Sequence, residues 1–149
     1  MPHVSFFLTL IIMSVLFAKA EIQIEGADGW AAKLPTWKIS NRWTRFIYGA
    51  KPLTGYHFYT QLFILCAVHL PFCFSMAPFT LRFELRAVSF FILFWVLEDF
   101  LWFVMNPAFG LSRFRPKHIW WHAPGWWWIM PRDYWIFIPV GLFVYVASY

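Results

Sequence analysis

Four stretches of this chain, at about residues 4–20, 56–78, 87–106 and 133–149, are too long and too apolar to lie on the surface of a water-soluble fold. A helix needs about 20 apolar residues to cross the hydrocarbon of a bilayer, which is ~30 Å thick. In lipid the backbone must satisfy its own hydrogen bonds, so a segment that crosses does so as a helix. The pattern therefore predicts an all-α membrane protein. It would have four transmembrane helices in a single integral membrane domain over residues 1–149, placed in the cell (inner) membrane. Composition agrees: 61% of the residues are apolar, 24% aromatic and 13% charged, about half the charged share of an ordinary soluble domain.

A net charge of +5 would suit nucleic acid, but the Lys and Arg flank the apolar runs and form no basic aromatic module. Nucleic acid is therefore not an expected partner. The lipid bilayer is, with self-association or a partner membrane subunit beside it. The first run is short enough for a signal-peptide core, and Ala18-Lys19-Ala20 fits a small-x-small cleavage site. The residues ahead of it, Met-Pro-His, carry no Lys or Arg, so a retained helix is expected rather than a cleaved leader.

The predicted loops are residues 19–55 and 107–132, with a short connection between the second and third runs. The first loop opens on Glu21-Ile22-Gln23-Ile24-Glu25-Gly26, whose alternation predicts a short strand, with a turn at Asp28-Gly29. It is too small for a core of its own, and Trp30, Trp37 and Trp43 are expected to hold it against the membrane face. The first and third loops hold ten Lys and Arg against two, Arg82 and Arg86, in the connection between them. The positive-inside rule then puts the ten in the cytoplasm and both termini outside.

Six of the eleven Trp residues crowd into 120–135. Indole favours headgroup depth, where the ring is in apolar surroundings and its N–H stays wet. Trp120, Trp121, Trp126, Trp127 and Trp128 are accordingly predicted as interfacial anchors. Pro116 and Pro124-Gly125 would bound a short Trp-rich helix over 117–123 along the interface.

Glu98-Asp99 stands inside "FFILFWVLEDFLWFVMN". One charge at the centre of a bilayer helix costs about 2.5–3.5 kcal/mol on the mildest scale, so two neighbouring carboxylates need a partner, a metal, a cavity or a proton. Out of water the two cannot comfortably both ionise, so one is expected to hold a proton. The predicted site is Glu98 and Asp99 as proton or cation acceptors. Asn106 lies seven residues on, on the face of Asp99. His69 is matched in depth from the second helix, near the middle of the membrane.

Cys66, His69 and Cys73 share a helix face at spacings of three and four, and His118 and His122 have the i, i+4 spacing of paired ligands. Each has a plainer reading. Cys on a helix face is usually filler, and the second His pair lacks the Glu of a metalloprotease motif, carrying Ile119 in its place. No metal is expected, and these residues are the candidates if one is bound; the sequence points to no other cofactor. Nucleotide loops and a nucleophile elbow are absent.

The function expected from the sequence is binding or translocation of a proton, a small cation or a lipid-soluble ligand at a mid-membrane acidic site. A membrane-embedded enzyme acting on a lipid or quinone-like substrate is one alternative, and a structural subunit of a membrane complex is another.

Overall fold

A computed structural model describes residues 2–49 and 51–149, and about 65% of it is helical. In chain order it contains α1 (Pro2–Glu25), β1 (Lys38–Ile39), α2 (Arg42–Tyr48), β2 (Leu53–Thr54), α3 (Gly55–Cys73) and α4 (Leu81–Met105). Two 3-10 turns follow at Leu111–Arg113 and Ala123–Gly125, then β3 (Trp126–Trp127), β4 (Met130–Pro131) and α5 (Arg132–Ala147). The strands form two minimal antiparallel ribbons, β1 with β2 and β3 with β4. These close the loops down onto the starts of α3 and α5.

Helix α4 is the central element, packed along both α1 and α5 and touched more lightly by α3. Thr80 starts it by accepting the Phe83 N–H, and Thr54 caps α3 in the same way through the His57 N–H, each satisfying a donor the first turn leaves open. At its far end the Asn106 amide donates to the Gly26 carbonyl at 2.8 Å, tying the end of α4 to the end of α1. Leu10, Ile64, Leu93 and Phe94 form a core between α1, α3 and α4. A second core of Ala18, Trp30, Trp102, Phe103, Ile119 and Trp121 joins α1 and α4 to the loops.

Helices α1, over His3–Glu25, and α4 are each long and apolar enough to cross a membrane. Helix α5, at 16 residues, reaches about 24 Å, short of a full hydrocarbon thickness. Helix α3 stops at Cys73, before the expected 78. Pro71 lies in its last turn, and Ser75 takes a left-handed φ of 54°, so the chain leaves the helix there.

Two expectations are overturned. Residues 21–25 end α1 and are not a strand; the chain turns at Gly26-Ala27 and again from Trp30, with a bend at Asp28 between them. Period two and period four coincide over so short a stretch, and the longer register decides. Leu10, Ser14, Ala18 and Glu21 are all buried, at steps of four, four and three, which is one helical stripe. Residues 117–123 form successive turns in place of the expected interfacial helix. The segment folds inward on Ile119, Trp121 and His122, which are buried. Trp121 is therefore a core residue, lying over Gly29, where any Cβ would collide with its ring at 2.3 Å. Trp126 is half-buried, and of the five predicted anchors only Trp120, Trp127 and Trp128 are exposed.

Candidate functional site

The second core surrounds a cavity of about 310 Å³ at the loop end of the bundle. Of the seven Asp and Glu in the chain, five line it: Glu21, Glu25, Glu98, Asp99 and Asp133. They arrive from three helices. Glu21 and Glu25 are one turn apart at the end of α1, Glu98 and Asp99 are on α4, and Asp133 is in the first turn of α5. Lys51, His57 and His122 also line the cavity, beneath the rings of Trp30, Trp102 and Trp121. A smaller hollow of about 80 Å³ shares Lys51, His122 and Asp133 with it and extends to Gly49 and Pro124.

The polar groups divide into two sets. In the first, the ligating atoms of Glu21, Glu25 and His57 all lie within 4.8 Å of one another. His57 Nε2 is 3.7 Å from Glu25 Oε1, while its Nδ1 is 2.6 Å from the Thr54 hydroxyl. Its ring stacks on Trp30 at 3.9 Å. The Glu25 carboxylate also accepts the Ala31 N–H. Glu98 is 2% exposed and within hydrogen-bonding reach of Glu21, yet its Oε1 has no hydrogen-bond partner among the described residues. The indole nitrogens of Trp95 and Trp102, also on the cavity, likewise have no partner among the described residues.

In the second set, Asp99 accepts a hydrogen bond from the Tyr134 hydroxyl and lies 3.2 Å from His122 Nε2. Lys51 Nζ is 3.8 Å from Asp133 and 4.2 Å above the Trp30 ring. A buried ammonium is stabilised by an anion and by the face of an indole, and Lys51 has both. Burial nevertheless pushes its pKa below the ordinary lysine range, against the pull of Asp99 and Asp133. His122 is likewise held below the ordinary range, first by burial and then by the nearby Lys51 charge, with Asp99 opposing. A neutral imidazole beside a carboxylate can take and return a proton.

The expected site residues are thus partly reunited. Glu98 and Asp99 both face the cavity, but each serves a different set, since successive helical positions point about 100° apart. His69 is elsewhere: its Nε2 is 3.1 Å from Glu84 and its Nδ1 is 2.6 Å from the Leu65 carbonyl. It does not partner Glu98. Asn106 is the end-cap of α4 and not part of the lining. Cys66 and Cys73 are exposed on α3. His118 is exposed while His122 is buried, so that spacing does not bring the two to one site.

Glu98 also stands off the centre of its own helix. Glu98 is seven residues from the end of α4 at Met105, about 10 Å along the axis, against about 26 Å to Leu81. The cavity belongs to one end of the bundle because both carboxylates of α1 and the first turns of α3 and α5 converge there with the loops. The other half is filled by the Leu10, Ile64, Leu93 and Phe94 core.

Sequence reasoning missed Glu21, Glu25, His57, Lys51 and Tyr134. The four-residue spacing of the two glutamates in register with Ser14 and Ala18 was the available signal for the first pair. Compared with protein-family models, with curated proteins and with solved structures, the chain matches none, so the meaning of this cavity rests on its own residues.

Proposed function

We propose that the chain is an integral membrane protein of four helices whose loop-end cavity binds a cation or the polar head of a lipid-soluble ligand. The observation that carries this reading is the inversion of an ordinary fold. Five of seven carboxylates line an interior cavity, while the outward residues are Val4, Leu8, Leu16, Phe63, Phe143 and Val146, each more than half exposed. A water-soluble domain would place the two groups the other way round. Lipid accepts the apolar exterior, and the burial of the clustered acids is offset by a bound positive charge, a hydrogen-bond donor or a shared proton. The apolar face of α5 lets it serve as a short span, with Arg132 at its loop end drawn to the headgroups.

Binding from one side is favoured over translocation. The packed core of Leu10, Ile64, Leu93 and Phe94 separates the cavity from the far end of the bundle, and alternating access needs a polar path on both sides.

The test uses the purified chain, freed of bound cations with a chelator, in lipid nanodiscs. A hydrophobic carbodiimide modifies protonated carboxyls, and peptide mass spectrometry locates the label. Modification at Glu98 is expected, slowed about tenfold or more by a saturating long-chain alkylamine. Labelling spread evenly over half-exposed acids outside the cavity such as Asp28, with no protection at Glu98, would count against the site.

Asp99, His122 and Tyr134 favour a second reading, catalysis on such a ligand. Here His122 would act as general base, held by Asp99, with Tyr134 donating to the same carboxylate. Incubating a total lipid extract with wild type and with His122→Asn separates the two. A lipid species consumed by wild type alone supports chemistry, and an unchanged extract leaves simple binding.

A further inference from the structure

We infer that Glu21, Glu25 and His57, completed by the free oxygen of Glu98, form a binding site for one divalent first-row metal ion such as Mn²⁺, Fe²⁺ or Zn²⁺. The inference deepens the proposed cavity function by naming the cation, and it rests on that cavity being a ligand site.

Three observations meet at this point. The ligating atoms of Glu21, Glu25 and His57 lie within 4.8 Å of one another, so small side-chain rotations bring them to the ~3.3–4.4 Å separations of ligands about 2.0–2.2 Å from a common ion. His57 is already set for ligation. Thr54 holds Nδ1 at 2.6 Å and Trp30 stacks on the ring, leaving Nε2 turned to Glu25 at 3.7 Å. Metal-binding imidazoles are oriented in this way, by a hydrogen bond at the nitrogen that does not ligate. Independently, Glu98 Oε1 is buried with no hydrogen-bond partner among the described residues on a residue 2% exposed that lines the same cavity beside Glu21. A buried carboxylate oxygen without a donor is costly, and an ion between it and the other three ligands removes that cost.

Charge gives the same answer. Lys51, the buried ammonium of the cavity, is engaged by Asp133 and the Trp30 face. Glu21, Glu25 and Glu98 are therefore left to share a charge that a dication offsets. Three carboxylates and one imidazole favour the harder and borderline ions over copper or a thiolate metal.

Protein purified from membranes without chelator is analysed for metals by mass spectrometry, then stripped and titrated with Co²⁺ alone. The expected result is close to one equivalent of metal as isolated. Co²⁺ should give visible ligand-field bands in wild type and in His118→Ala, which removes an exposed histidine. Glu25→Gln and His57→Ala should abolish the bands. Affinity should rise with pH, because the ligands must lose their protons. Since His57→Ala also loses a ring packed on Trp30, circular dichroism is recorded on each variant, and Glu25→Gln, nearly isosteric, decides if His57→Ala unfolds. Absence of metal and of bands in wild type overturns the assignment, as does binding that survives Glu25→Gln. If Glu98 is still protected by the alkylamine while Co²⁺ leaves no bands, the metal falls and the cavity stands. If Co²⁺ binds through these residues and the alkylamine never protects, the lipid ligand falls and the metal stands.

Discussion

At the scale of single residues, cost identifies function here. Lys51 and His122 are polar groups that water would hold more cheaply, and each is kept inside by a specific neighbour: Asp133 and Trp30 for Lys51, Asp99 for His122. His122 gives a pH test whose sign follows from linkage. Its pKa is depressed in the folded chain, chiefly by burial, so the unfolded chain takes up a proton first as pH falls. The stability it contributes is complete above the ordinary histidine value of about 6.5 and is lost as pH falls through the depressed folded value. Thermal unfolding of the detergent-solubilised protein should shift downward as pH drops below about 6.5. In His122→Gln the same shift should shrink, since the amide keeps a donor for Asp99 and does not titrate. Equal pH profiles for the two proteins would remove His122 from the account. The groups facing it, Asp99, Lys51 and Tyr134, are present in both.

At the scale of elements, the bundle depends on close approaches that only small residues permit. Ser89 of α4 donates to the Gly141 carbonyl of α5 at 2.8 Å, and a Cβ at Gly141 would stand 2.6 Å from Leu93 Cδ2. Small residues at such a crossing are how helices gain packing where lipid supplies no hydrophobic drive between them. Gly141→Ala should therefore destabilise by about 1–3 kcal/mol through overpacking, read as a lower unfolding temperature. Leu93→Ala in the same chain should recover part of the loss, because it removes the atoms that clash; losses that simply add would mean Gly141 matters for another reason. Helices were the legible part of this sequence. Apolar runs announced α1, α3, α4 and α5 to within a few residues at most ends, and Glu98-Asp99 stood out because nothing apolar surrounds a charge without a cause. Glu21 and Glu25 were hidden because six alternating residues satisfy a strand and a helix equally well. His57 could not be singled out at all: its role depends on α1 and Trp30 lying beside it, which are contacts between distant segments. Trp121 and His122 looked like interface residues because composition marks a Trp-rich segment without saying which members turn inward.

At the scale of the whole molecule, charge and apolar surface make one connected prediction. Ten Lys and Arg lie in or beside the two loops that cover the cavity, and only Arg82 and Arg86 lie near the opposite end. An asymmetry of this size orients helices during insertion, and for the proposed membrane protein it would put the cavity end of the bundle on the cytoplasmic side. The metal and the lipid head would then both be met from the cytoplasmic leaflet, whose anionic surface also attracts the loop cations. Cysteine labelling reads this out directly. Cys66 and Cys73 are exposed on α3, so both are first replaced by Ser. Single cysteines are then placed at Ser40 and Ser112, which are exposed on the two covering loops, and at Ala77, in the turn between α3 and α4. In sealed, right-side-out vesicles a membrane-impermeant maleimide should modify only the Ala77→Cys chain. In inverted vesicles it should modify Ser40→Cys and Ser112→Cys. Modification of all three from one side would mean that α3 and α4 do not cross as the charge pattern requires. The reverse pattern would turn the cavity outward and make its ligand an external one. Extraction of the chain by alkaline carbonate would go further, because the outward faces of Leu8, Phe63 and Phe143 would then be left without the lipid that makes their exposure affordable in free energy.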